Sequence, residues 1–162
     1  MRTGLRISDF LRLDQSNLND KNITITTFKT GQKVIIPIHT QIKEILDKRN
    51  GELPNTISDQ KFNEYVKEVC QTVGINEKVE GAKMDKIIIK EKTDTTPEVS
   101  IHRKKQGTFK KWELISSHTC RRSFATNLYG KLPNKTIMAI TGHATETQFL
   151  SYIKITNSEF AD

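Results

Sequence analysis

The punctuation of the last third of this chain constrains its fold more than any other feature. Between Ser116 and Ile153, Gly130 and Gly142 each follow a run of helix-compatible residues. Glycine ends helices because it adopts the left-handed conformation at no steric cost. Ser116 or Ser117 caps a helix through Tyr129, and Asn134–Thr141 forms a short one closed by Gly142. Thr145 and Gln148 have the spacing of a capping box, opening a final helix that carries Phe149, Tyr152 and Ile153.

The earlier chain supplies a small sheet. Ile23–Phe28 alternates, Lys29-Thr30-Gly31-Gln32 turns, and Lys33–Ile38 is a second β-rich run, with Pro37 marking a strand end or an edge. Leu5, Phe10 and Leu13 lie among polar positions, as at the end of an amphipathic helix. Thr40–Arg49 predicts a helix through Ile42, Ile45 and Leu46, stopped by Gly51. Ser58 caps a longer one, with Phe62, Val66, Val69 and Val73 on one face and Gly74 at its end. Lys86–Lys90 and Val99–His102 read as strands joined by a polar Thr93–Pro97 connection. Arg103–Trp112 is compatible with a flexible loop or a further hairpin. The expected fold class is α+β, mainly helical with a small antiparallel sheet, and no internal repeat interrupts it.

At 162 residues the chain is one ordinary domain. Its 35% hydrophobic and 28% charged content fits a soluble globular protein. No apolar run approaches the ~20 residues of a membrane span, and Met1-Arg2-Thr3-Gly4 lacks the layout of a signal peptide. Cys70 and Cys120 are in neither CxxC nor Cys/His metal spacing, so reduced cytoplasmic thiols used for packing are expected. The net charge of +7 draws polyanions to the surface, although charge alone is weak evidence for nucleic acid. Walker A, GxGxxG and HExxH patterns are absent, so nucleotide hydrolysis and zinc-protease readings gain nothing.

Phosphodiester exchange without a metal needs cations on the non-bridging oxygens, an in-line nucleophile and an acid for the leaving group. Arginine suits the first role because its planar fork matches phosphate and stays charged. His118-Thr-Cys-Arg121 places an imidazole and a guanidinium on one helix face. Each element alone has an ordinary explanation. His-x-x-Arg arises by chance, His143 after Gly142 suits a helix end, and Tyr152 between Phe149 and Ile153 suits a core.

In combination they do not look accidental. His118-Thr-Cys-Arg121-Arg122-Ser-Phe-Ala-Thr126, then Ile140-Thr-Gly142-His143, then Tyr152 resembles the C-terminal signature of the tyrosine recombinases, or integrases. Thr3-Gly4-Leu5-Arg6-Ile7-Ser8-Asp9 resembles the family's first arginine box, and Phe28-Lys29-Thr30-Gly31 falls in a hairpin turn where the family keeps a lysine. The run Lys29 to Pro37 and the lead-in Glu113-Leu-Ile-Ser-Ser-His118 resemble integrases of Bacteroides-type mobile elements. The resemblance covers Thr3 to Tyr152 except for residues 75–112, which are expected to be an insertion.

The resemblance implies the DNA breaking-rejoining fold and a set of roles. Tyr152 would attack the scissile phosphorus, giving a 3′-phosphotyrosyl link that stores the bond energy, so rejoining needs no cofactor and no metal. Arg6 and Arg121 would clamp the non-bridging oxygens. An unperturbed tyrosine has a pKa near ~10, so a base is required, and His118 is the candidate. Lys29 would protonate the departing 5′-oxygen, with Lys33 its rival near the same turn. His143 would hydrogen-bond the phosphate, and Asp9 would orient Arg6 or His118. Tyr129, beside Gly130, is read as structural. Arg122 points roughly 100° from Arg121 and suits a phosphate-backbone contact or a salt bridge. Lys104, Lys105, Lys110 and Lys111 would track DNA or form a solvated charged loop, while His102 is expected to be an ordinary exposed residue and Cys120 a packing residue.

The implied partner is duplex DNA, with four subunits on two duplexes for a full-length protein, and no small-molecule substrate or membrane. The family's separate N-terminal DNA-clamping domain is expected to be missing here, as is much of the helix that follows the tyrosine. The competing expectations are a DNA-binding remnant without productive recombination and a type IB topoisomerase-like activity.

Overall fold

The computed structural model of the chain describes residues 3–90 and 99–153. It divides into two compact units, residues 1–63 with 117–162, and residues 64–116. Among the described residues no helix is long and apolar enough to cross a membrane.

The first unit is built on a hairpin of β1 (Asn22–Thr26) and β2 (Lys33–Pro37), antiparallel, with Ile23 opposite Ile36 and Ile25 opposite Val34. Those four side chains are buried with Leu5, while Ile35, on the other face, is 53% exposed. This is the period of two that the sequence shows. The turn closes through Gly31 N to Thr27 O (2.9 Å) and Thr27 N to Gln32 O (2.9 Å). Gly31 has φ +63°, which explains why glycine stands there.

Around the hairpin lie α1 (Ile7–Phe10), α2 (Thr40–Asp47), and the start of α3 (Asp59–Thr72). The expected helix around Leu5–Leu13 is only one turn long. Asp14 ends the helical register by capping a following 3-10 turn, Gln15–Asn17, with its own side chain. Phe62 of α3 meets Phe10 edge-on at 5.9 Å, but Val69 and Val73 further along are exposed, so the predicted apolar face is half-buried at Phe62 and Val66 and open beyond them.

Downstream, α5 (Ser117–Leu128), α6 (Asn134–Thr141) and α7 (Glu146–Leu150) form the second core, with Ala125, Ile137 and Phe149 fully buried. Gly142, at φ +64°, ends α6, and the Thr145 side chain accepts from Gln148 N at the start of α7. The last helix is shorter than expected, so Tyr152 and Ile153 lie in the turn that follows it. Gly4, at φ +63°, sits so close to α5 that a Cβ there would lie 2.5 Å from the Phe124 ring. The segment leading into Arg6 is thereby pressed against the helix that carries Arg121.

The second unit contains the rest of α3, then β3 (Lys78–Lys90), β4 (Val99–Lys110) and α4 (Lys111–Leu114). The strands form one long antiparallel ribbon, from Lys78 opposite Lys110 to Lys90 opposite Val99, with an irregularity between Ile88 and Lys90. Arg103–Lys110 is therefore neither a loop nor a separate hairpin but the continuation of β4. The Thr93–Pro97 connection lies outside the described residues. Lys83 Nζ bonds Glu113 at 3.0 Å, tying α4 to the ribbon. Neither Cys70 nor Cys120 is in a disulfide, and both are half-buried.

Candidate active site

Arg121 projects from the middle of α5 and is 2% exposed. Its guanidinium donates to the carbonyls of Gly4 and Thr141. The Thr141 carbonyl closes the end of α6, where helix carbonyls lack intrahelical donors and a cation is favoured. One side chain thus joins the segment before α1 to the end of α6.

Arg6 stands at the start of α1, and its Nη1 lies 3.9 Å from where a Cβ on Gly142 would be. Asp9, one turn on, is 1% exposed, and its Oδ1 accepts from the amide of Phe28 at 2.7 Å. It therefore fastens the hairpin turn that carries Lys29.

Tyr152 is held from several sides. Its backbone amide donates to Phe149 O (2.9 Å), and Arg122 Nε donates to its carbonyl at 3.3 Å. The ring meets His143 edge-on at 4.5 Å and His118 at 5.1 Å, with the Arg121 guanidinium 5.7 Å from its centre. His118 occupies the first turn of α5, whose Ser117 amide is capped by Asn63 Oδ1 at 2.7 Å.

Arg6, Ile7, Ser8, Lys29, Ser117, His118, Arg121 and Tyr152 line one cavity of about 320 Å³. His143 touches the same tyrosine ring but lines a neighbouring cavity with Lys33 and Lys135. Lys29 shares the cavity of Tyr152, and Lys33 lines the neighbouring one with His143. Tyr129 packs on Phe149 (6.2 Å) within the second core. Arg122 shares a further cavity with His118.

The electrostatics of the cavity are one-sided. Among the described residues, Arg121 feels the charge of Arg6 and the opposing charge of the Asp9 carboxylate. Burial, then the Arg6 charge, lowers the Arg121 pKa to about 10, so it is still a cation at neutral pH. Burial lowers the His118 pKa, helped by Arg122 and Arg121. His143 is pushed from 6.5 to about 4, first by burial and then by Arg121 and Arg6. Both histidines are neutral at pH 7. Buried polar atoms without a partner include Arg6 Nη1, Arg121 Nε, Arg122 Nη2 and His143 Nε2. Buried donors are ordinarily satisfied, so the open guanidinium nitrogens of Arg6 and Arg121 in this cavity mark the place of a missing acceptor.

The depressed His143 fixes a sign for stability. The unfolded imidazole takes up a proton more readily, so its contribution is complete above pH ~6.5 and is lost as pH falls toward about 4. We expect His143→Asn to flatten that decline by about 2 kcal/mol, read as the difference between the wild-type and variant urea curves at pH 7 and pH 4.5. Parallel curves at both pH values would remove His143 as the cause.

The remaining sequence-derived candidates lie on the ribbon. Lys104, Lys105, Lys110, Lys111 and His102 are all exposed, with Lys105 3.9 Å from Asp85 and Lys111 2.7 Å from Glu77. Sequence reasoning missed the Arg122 bond to the Tyr152 carbonyl and the Thr141 hydroxyl, which lies 2.7 Å from His143 Nδ1. Neither leaves a spacing signal.

Comparison with solved structures places this fold in a known class. The chain matches XerA recombinase with TM-score 0.63 at 15% identity, covering 99% of this chain and 52% of that one. A dimer of a lambda integrase fragment bound to a COC′ core site matches with TM-score 0.62 at 19% identity, covering 94% and 48%. XerH recombinase bound to a difH substrate before cleavage gives 0.61 at 16%, covering 99% and 42%. The chain spans about half the length of these proteins. Its fold is that of tyrosine recombinase catalytic domains. Residues 1–159 match the phage integrase family model, and the chain belongs to that family. No curated protein gives a significant match to it.

Proposed function

We propose that this domain cleaves and rejoins duplex DNA by transient attachment of a strand to Tyr152. The observation that carries the reading is the single cavity shared by Arg6, Lys29, His118, Arg121 and Tyr152, edged by buried nitrogens that lack acceptors. A phosphodiester supplies those acceptors, and its charge offsets the excess of cations.

Tyr152 attacks the phosphorus, and its proton passes to His118, which is neutral and has a lone pair to receive it. Arg6 and Arg121 stabilise the charge that builds on the non-bridging oxygens. Lys29, exposed on the hairpin turn, protonates the leaving 5′-oxygen, while Asp9 positions that turn through the Phe28 amide. His143 assists at the phosphate. The product is a 3′-phosphotyrosyl link, and reversal with a new 5′-hydroxyl reseals the strand. In the full assembly four copies act on two duplexes, in the cytoplasm. The runs Lys29–Pro37 and Glu113–His118 support a place among integrases of Bacteroides-type mobile elements, with residues 75–112 as an insertion in the catalytic domain.

Incubating the chain with a pool of nicked, random-sequence duplexes tests this. The expected result is an SDS-resistant adduct from which digestion releases phosphotyrosine at Tyr152. No adduct, or one at another residue, would overturn the proposal.

The ribbon supplies DNA-backbone contacts. Its register puts Lys78, Lys104, Lys110 and His102 on one face. On the opposite face Lys83 is taken up by Glu113 and Lys105 by Asp85. We expect Lys104→Ala with Lys110→Ala to lower the slope of log binding constant against log salt by about 2. The pair Lys105→Ala with Lys111→Ala lowers it less. Equal effects of the two pairs would remove the distinction between the faces.

A further inference from the structure

At the end of α6, Thr141 is 1% exposed, and its hydroxyl oxygen lies 2.7 Å from both the Ile137 carbonyl and His143 Nδ1. A hydroxyl carries one hydrogen, and a carbonyl oxygen can only accept. The hydrogen must therefore point to Ile137, because otherwise two oxygens would face each other at hydrogen-bond distance with nothing between them. The Thr141 oxygen then accepts from His143, so the neutral imidazole carries its hydrogen on Nδ1. Its Nε2 bears a lone pair and is buried without a partner.

The charged groups near that nitrogen, among the described residues, are cationic. Arg6 precedes α1, and Arg121 reaches in from α5. Lys33 of β2 and Lys135 of α6 line the cavity beside the imidazole. The rings of Tyr152 and Phe149 stand 4.5 Å and 5.8 Å away. A lone pair in these surroundings cannot donate to an anion's oxygen.

We propose that Thr141 is a positioning residue that locks the His143 tautomer, so that a tetrahedral oxyanion entering this site draws one proton from solvent onto His143 Nε2. This rests on the phosphate-site reading given above. The proton comes from water or buffer, a new Nε2–H bond forms, and no bond in the ligand breaks. When the anion leaves, the proton returns to solvent. Burial first, and then Arg121 and Arg6, hold the empty site's imidazole neutral, and the anion's charge offsets the arginines. Binding therefore strengthens as pH falls, which two arginines alone would not produce.

Nitrogen-15 NMR of the imidazoles, with sodium sulfate as the probe, tests both parts. In the protein without sulfate His143 carries its hydrogen on Nδ1, and saturating sulfate raises its protonation midpoint by about one pH unit or more. Thr141→Val keeps the shape but removes both polar roles, so it releases the tautomer and weakens the sulfate response. Thr141→Ser restores both. A hydrogen on Nε2 in the sulfate-free wild type overturns the proposal. Sulfate that moves the His118 signals but leaves the His143 protonation midpoint where it was also overturns it, while the phosphate site survives. Sulfate that moves none of these signals removes the phosphate-site reading, and this inference with it.

Discussion

Tyr152→Phe is expected to lose covalent attachment to DNA completely, a fall of more than about 10⁴-fold, while duplex binding stays within about twofold. The substitution removes one oxygen and keeps the ring. The ring is what packs on His143 at 4.5 Å and on His118 at 5.1 Å, and the bond from Arg122 goes to the backbone carbonyl. The hydroxyl also faces the Arg121 guanidinium, but the carbonyls of Gly4 and Thr141 hold that side chain, so the site's shape and its cations survive. Adduct formation on denaturing gels and duplex affinity by anisotropy separate the two quantities. An adduct from the phenylalanine variant would remove Tyr152 as nucleophile. A joint loss of binding would show that the hydroxyl also holds the site together.

Arg121→Met should fail differently. Arg121 is 2% exposed and donates to the carbonyls of Gly4 and Thr141, so its removal strands two buried acceptors. Each costs about 1–3 kcal/mol, and together we expect about 3 kcal/mol of destabilisation, a large part of a typical domain's stability. Cleavage falls by about 10³-fold or more even at temperatures where the variant is folded, because the phosphate loses a fixed cation. Urea unfolding reads the first effect and single-turnover cleavage the second. An unchanged urea midpoint would show that the two carbonyl bonds contribute nothing to the fold. Arg121→Lys keeps the charge but cannot span both carbonyls as a fork, so it should fall between the two.

Much of the first unit was legible because its physics is local. Ile23, Ile25, Val34 and Ile36 alternate on strands of one buried face, and the residues that stop or cap the later helices act within a turn of their own position. The helix around Leu5–Leu13 was over-read because apolar spacing says nothing of the Asp14 side chain, which turns the backbone into a different register. The ribbon was under-read for the opposite reason. Arg103 to Lys105 are exposed side chains on two faces, so no alternation of burial marks them as strand.

The candidate site divides along the same line. Residue types and their order in the chain drew attention to Arg6, Lys29, His118, Arg121, His143 and Tyr152. How they are held was hidden, because the supporting bonds run from side chains to distant backbone atoms: Asp9 to Phe28 N, Arg122 to Tyr152 O, and Arg121 to Gly4 O. Such bonds depend on the assembled fold and leave no pattern in the sequence.

The Asp9 bond to the Phe28 amide has a mechanical consequence. Lys29 follows directly on that amide, and Arg6 precedes the carboxylate by less than one helical turn. The tip of the hairpin is therefore latched, even though Phe28 and Lys29 themselves are exposed. To swing away it must uncover an amide and a buried carboxylate at the same moment, so it moves by unlatching rather than by gradual drift. The opening of this turn and the loosening of the arginine segment are then one event, and the Phe28 amide should exchange its hydrogen at the rate of that event rather than at the rate of an open loop.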